Sequence, residues 1–132
     1  MTNKDLTIGE LARSTGLSPH TLRFYETAGL LRPVVRSASG HRRYRAQDEL
    51  WLAFVLRLKK TGMPLAEIRR YADLREKGEE SLSPRLAMLK LHHERLVSQI
   101  QELQECSAAL EAKIALYEQM LAAAALNTEE TS

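Results

Sequence analysis

Two clusters near the start of this chain have residue types and spacing suited to gripping a nucleic acid. His20, Thr21 and Arg23 lie just inside a segment that opens Ser18-Pro19, and Arg36 and His41-Arg42-Arg43-Tyr44 flank the turn-rich run Ser37-Ala38-Ser39-Gly40. Guanidinium groups neutralise phosphates and read guanine edges, while hydroxyl, imidazole and phenol groups add hydrogen bonds to backbone and bases. Other chemistries lack their parts. There is no glycine-rich phosphate loop and no nucleophile motif, and His92-His93 have no partner at metal-ligand spacing. Neither catalysis, nor a metal site, nor a cofactor is therefore expected.

Charge is partitioned in a way that supports a polyanion partner. Residues 1–45 hold eight Lys/Arg against three Asp/Glu, a net +5, whereas residues 46–132 hold eleven against fourteen, a net −3. Six of the eight head cations fall between Arg23 and Arg45. A basic head on a mildly acidic body places the anion at one end.

Length and composition limit the alternatives. A chain of 132 residues with 44% hydrophobic content can fold one domain with a long appendage. No apolar run approaches the ~20 residues needed to span a bilayer, and Met1-Thr2-Asn3-Lys4-Asp5 does not read as a signal peptide. A cytoplasmic protein without a membrane partner is expected. The single cysteine, Cys106, can form neither an internal disulfide nor a zinc site by itself, and flanking the apolar seam of the C-terminal segment it reads as a bystander.

The elements that must position the basic residues are well punctuated. Thr7 with Glu10 has the form of a capping box, and Gly16 is a left-handed stop, so a helix is expected from about Ile8 to Thr15. Ser18 as N-cap and Pro19 at the first helical position start a second helix, which runs to about Thr27 before Gly29. Ile8, Leu11, Ala12, Leu17, Leu22, Tyr25 and Leu30 fall at spacings that bury them together. The short turn Gly16-Leu17-Ser18 then makes a helix-turn-helix, with the outer, N-terminal half of the second helix free to meet a groove. Val34-Val35-Arg36 and Arg42-Arg43-Tyr44 read as strands of a cationic hairpin.

With these residues in view, the chain resembles the MerR-type transcriptional regulators. The resemblance rests on Ile8-Gly9-Glu10-Leu11-Ala12, on Leu22-Arg23-Phe24-Tyr25-Glu26 with Gly29-Leu30, on Arg36 and Gly40-His41-Arg42-Arg43-Tyr44, and on Thr61-Gly62-Met63-Pro64-Leu65-Ala66-Glu67-Ile68. It implies DNA contacts from Ser18, His20, Thr21 and Arg23 in the major groove and from Arg36, His41, Arg42 and Arg43 on phosphates. Tyr25 and Tyr44 would support the motif or touch the backbone, and Tyr25 equally has the spacing of a core aromatic. His41 stands where many members carry tyrosine, and Arg45 where a serine or threonine often caps the next helix.

Residues 46–61 continue as a helix with an apolar stripe of Leu50, Trp51, Phe54, Val55 and Leu58, read as core, with a ligand pocket at Trp51 and Phe54 as the less favoured use. Pro64 opens another helix to about Arg75, burying Leu65, Ile68 and Ala72. Beyond residues 77–82, read as a linker, Ser83-Pro84 repeats the start signal. A heptad follows through Leu86, Leu89, His93, Leu96, Ile100, Leu103, Ser107, Leu110, Ile114, Tyr117 and Leu121. Nine of its eleven positions are apolar, and so narrow a stripe must pair to be buried. His93 and Ser107 interrupt the seam, as polar residues that fix register do.

The expected fold is all-α with a small β-hairpin wing: a winged helix-turn-helix DNA-binding head over residues 1–76 and a long coiled-coil dimerisation helix over 83–124, with 125–132 a flexible tail. Periodicity leaves the helix orientation open; the resemblance implies antiparallel. The expected function is a homodimeric regulator on a pseudo-palindromic, double-stranded promoter site; the resemblance implies that it bends and untwists the promoter spacer, with RNA polymerase as a partner. The layout is similar to short family members without a separate ligand domain, such as the aldehyde- and electrophile-responsive subgroup. The cysteines of metal-sensing members are missing, and the effector is not indicated. A coiled-coil adaptor whose basic head binds a protein partner is the reading from another class.

Overall fold

The computed structural model describes residues 5–32, 35–36 and 42–131, with the side chains of residues 35, 36, 42, 130 and 131 outside that description. In chain order the elements are β1 (Leu6–Thr7), α1 (Ile8–Thr15), α2 (Pro19–Thr27), β2 (Val35–Arg36), β3 (Arg42–Tyr44), α3 (Gln47–Lys60), α4 (Leu65–Glu76), a 3-10 turn (Gly78–Ser81) and α5 (Leu82–Thr131). Two compact units result, Met1–His92 and His93–Ser132.

The helix-turn-helix forms where its caps dictate. The Thr7 hydroxyl accepts from the Glu10 amide at 3.1 Å while the Glu10 carboxylate accepts from the Thr7 amide at 3.3 Å, so each side chain satisfies the other residue's otherwise orphaned amide. Gly16 closes α1 at φ 76°, and its amide bonds to the Ala12 carbonyl. A side chain at that φ would be strained, which is why glycine stands there. Ser18 caps α2 by accepting from the Thr21 amide at 3.1 Å, with Pro19 at the first helical position.

The sheet has one strand more than the sequence suggests. β3 is central, pairing antiparallel with β2 through Val35–Arg43 and Arg36–Arg42, and with β1 through Leu6–Tyr44 and Thr7–Arg43. Two residues carry too little periodicity to announce a strand, so β1 emerges only when the β3 edge offers it partners.

The head's core is continuous from α1 to α4. Leu11, Leu22, Tyr25, Leu30, Leu31, Tyr44, Leu52, Val55 and Ile68 are almost wholly buried, with Trp51, Leu58, Met63, Tyr71 and Ala72 around them. Ile8, Leu17 and Phe54 pack against this cluster as partly buried residues. Two expected core positions are corrected. Leu50 is 77% exposed and Leu52 takes its place, while Leu65 is 38% exposed and Tyr71 is buried instead. Apolar residues nearly encircle α3, so the sequence offers more than one face and packing against the head selects the one through Trp51, Leu52, Val55 and Leu58.

The segment 77–82, expected as a linker, is a folded joint. Ser81 is buried, donates to the carbonyls of Leu74 and Gly78, and accepts from Arg85 Nε at 3.0 Å. α5 starts at Leu82 rather than at Pro84 and remains helical through Thr131, across the segment expected as a tail. Its first turns belong to the head, where Met88 and Leu89 pack on the core and the buried His92 bonds to the Thr61 hydroxyl at 2.7 Å. In the second unit the helix presents Ile100, Leu103, Leu110, Ile114, Tyr117 and Leu121 to solvent.

The contrast between the neighbouring leucines of α3 is directly measurable. Leu52→Ala is expected to lower unfolding free energy by about 2–5 kcal/mol, whereas Leu50→Ala should change it by less than about 0.5 kcal/mol. Urea unfolding of the two variants distinguishes this packing from the reverse.

Candidate nucleic-acid interface

The outer half of α2 carries the groove-facing candidates. His20 and Arg23 are exposed, and neither has a side-chain hydrogen bond or ion pair among the described residues. Thr21 is half-buried, and its hydroxyl lies 3.0 Å from that of Ser18, so Ser18 is first of all the cap that holds the segment. Phe24, which sequence reasoning passed over, is 49% exposed next to Arg23. Its only signal in the sequence is adjacency to two candidates.

Tyr25 and Tyr44 are in the core, not on a DNA-facing surface. Tyr25 is 2% and Tyr44 0% exposed, which leaves no ring face for an outside partner. Their hydroxyls are used inside the head: Tyr44 donates to Glu26 of α2, and Tyr25 accepts from Lys59 Nζ at 3.1 Å. These bonds tie α2 to the wing strand and to the end of α3.

The Lys59 contact brings in residues the sequence did not single out. Its ammonium also sits 5.2 Å from the centre of the Tyr25 ring. The last turn of α3, with Arg57, Lys59 and Lys60, is thereby held against the recognition helix. In the sequence these were the polar face of a helix 34 residues away from Tyr25, and only the tertiary fold makes them neighbours.

On the wing, Arg36 and Arg42 face each other across β2 and β3 as backbone partners. Arg43 is half-buried on the middle strand, on the opposite face from Tyr44 by the alternation of a strand. His41 lies outside the described residues.

Arg45 exposes its side chain while its amide donates to Asp48 Oδ2 at 2.8 Å. That bond, from the first turn of α3, satisfies an amide just before the helix where no serine or threonine cap stands. Burial raises the Asp48 carboxyl above its usual range, opposed by the Arg45 amide bond and by the charges of Arg75 and Arg45. Nearby, Arg32 reaches Asp73 at 2.9 Å and Glu76 at 3.6 Å.

Comparison with known proteins decides the family. The family described as "MerR HTH family regulatory protein" matches residues 6–74, and "MerR, DNA binding" matches residues 50–113. The chain belongs to the MerR family. As a MerR regulator it is 37% identical over 112 residues to an uncharacterised HTH-type transcriptional regulator of Haemophilus influenzae, covering 85% of this chain and 83% of the relative. Among solved structures it is similar to HiNmlR, a MerR family regulator lacking the sensor domain and bound to promoter DNA, with 35% identity and a TM-score of 0.77 over 88% of this chain and 92% of that one. A Listeria monocytogenes protein described as a MerR family transcriptional regulator gives 31% identity and a TM-score of 0.86 over 95% of both chains. The relatives are transcriptional regulators, and no described helix of this MerR chain is long and apolar enough to cross a membrane.

The raised carboxyl of Asp48 gives a pH signature. A folded-state value above the unfolded one favours the protonated form, so this contribution to stability is full below the unfolded value and is lost as pH rises through the folded one. Asp48→Asn keeps an acceptor for the Arg45 amide without the buried charge. The variant should match or exceed the parent's melting temperature at pH 7, and the advantage should shrink as the pH is lowered toward 4. An advantage that grows on acidification would contradict the burial argument.

Proposed function

We propose that this regulator binds double-stranded promoter DNA in the cytoplasm as a homodimer, one head to each half of a pseudo-palindromic site. The observation that carries the reading is the recognition helix itself. Its exposed His20 and Arg23 project from a helix clamped by Tyr44–Glu26 on one side and Lys59–Tyr25 on the other. Pre-organisation of this kind lowers the entropy lost on binding. The similarity to HiNmlR, a promoter-bound relative, supports the same use.

Arg23, with Ser18, His20 and Thr21, would read base edges in the major groove. Arg36, His41, Arg42 and Arg43 would hold phosphates from the wing, and the basic end of α3 would extend that grip. Pairing is supported by the unpartnered apolar stripe of α5, since a helix with so much exposed leucine and isoleucine needs a second copy to cover it. An antiparallel arrangement of the two helices is part of the proposal. Bending and untwisting the spacer costs on the order of 1–6 kcal/mol, which phosphate contacts on both half-sites would offset. The distortion would present the promoter to RNA polymerase in a usable form. A coiled-coil adaptor with a protein-binding head has no comparable support.

Gel-shift titration against DNA upstream of the protein's own and adjacent genes tests the reading. Affinity should fall steeply with salt, with a slope of about −0.9 in log K against log salt for each phosphate neutralised. Binding that is absent at low salt, or indifferent to it, rules the proposal out. Arg23→Ala should relax sequence preference, while Arg42→Ala should weaken all duplexes alike; the opposite pattern reverses the assigned roles.

Dimerisation has its own measurement. Replacing Ile100 and Leu103 by aspartate should convert a sedimenting dimer into a monomer and abolish the bivalent gel-shift species, while the head keeps its fold by circular dichroism. A parent chain that sediments as a monomer at micromolar concentration would remove the two-head mechanism.

A further inference from the structure

The head contains a cavity that DNA reading does not use. It lies between the link that follows α2, the start of α3 and the end of α4, and its volume is about 440 Å³. Cavities of roughly 300–1,000 Å³ are the size that small-molecule sites occupy. Arg32, Arg45, Gln47, Asp48, Arg75 and Glu76 supply its polar walls, with Trp51 as the large aromatic surface.

We propose that this cavity is an oxyanion site, taking a compact carboxylate- or phosphate-bearing molecule through the guanidinium groups of Arg45 and Arg75. The lining itself carries three arginines, Arg32, Arg45 and Arg75, against two acids, Asp48 and Glu76. Arg32 and Glu76 are engaged with each other, and Arg32 also with Asp73, so that part of the wall is internally compensated. Neither Arg45 nor Arg75 lies within salt-bridge distance of a carboxylate among the described residues. Asp48, the other acid of the lining, already accepts from the Arg45 amide at 2.8 Å.

Both arginines are pre-positioned. The Arg75 guanidinium lies over Trp51, 4.4 Å from the ring centre, and Trp51 is itself fixed by stacking on Tyr71 and by its bond to the Leu30 carbonyl. The backbone of Arg45 is held by Asp48, so its side chain starts from a fixed point at the cavity edge. Guanidinium groups recognise planar or tetrahedral oxyanions bidentately, and the hydrogen-bonding walls favour a ligand with further oxygens over an apolar one. The anionic oxygens could come from a free small molecule or from a DNA phosphate.

Trp51 is the chain's one tryptophan, so its fluorescence reports on this wall alone. The full-length protein is titrated with inorganic phosphate and with citrate, against potassium chloride at matched ionic strength. A saturable fluorescence change in the millimolar range is expected, and Arg45→Gln should weaken it about tenfold, the loss of one charge-assisted hydrogen bond. Arg75→Gln should do the same, but it alters the ring's surroundings directly; Arg45→Gln is the deciding variant, with its fold checked by circular dichroism. If an equimolar promoter duplex abolishes the phosphate response, the site takes a DNA phosphate; if the response survives the duplex, it takes a free anion. A change that follows ionic strength alone, or one that Arg45→Gln leaves intact, overturns the site.

Discussion

The indole of Trp51 is the joint on which the head depends. Its N–H donates to the Leu30 carbonyl at 2.6 Å inside the core, tying the turn that follows the recognition helix to α3. The same ring stacks on Tyr71 at 6.0 Å, which draws in α4, and is covered by Arg75. A buried carbonyl left without that donor would cost about 1–3 kcal/mol, so the exit of α2 and the entry of α3 cannot easily part. The angle at which the recognition helix is offered follows from this joint.

Around it the head uses polar atoms to aim rather than merely to stabilise. Tyr44 reaches Glu26 from the wing, Lys59 reaches Tyr25 from α3, and His92 reaches Thr61 from the first turns of α5. Each of these bonds links elements far apart in the chain, and each ends on or beside a surface assigned to DNA. Thr61 closes α3 just after the basic residues Lys59 and Lys60, so the root of α5 is hydrogen-bonded to the turn that carries them. Coupling between the helix that would pair two copies and the surface that would hold phosphates therefore has a physical route within one unit.

The sequence revealed some of this site and hid the rest for definable reasons. Ser18, His20, Thr21 and Arg23 were legible because a cap, a proline and helical spacing fix which residues open α2. The burial of Tyr25 and Tyr44 was not, since an aromatic residue within reach of both a core and a groove satisfies either pattern until partners such as Lys59 and Glu26 are placed. Nothing in the sequence marks His92 as the buried one, because its neighbour His93 occupies the heptad position. The seam predicts which face of α5 is apolar, but not that the first turns of the helix turn another face to the head.

What the sequence alone determined is the local chemistry: the capped helices, the cationic wing segment, the charge asymmetry, and a stripe on α5 that leaves its leucines uncovered. These depend on interactions spanning a few residues, or on composition, and need no knowledge of the fold. Only the tertiary structure decided that Leu52 and not Leu50 is core, that Tyr71 and not Leu65 lines it, that β1 completes the sheet, and that Arg45, Arg75 and Trp51 line one cavity. Where a helix is apolar on several sides, or a strand is two residues long, local preference is nearly degenerate, and the choice falls to whichever packing buries the most surface without orphaning a polar group.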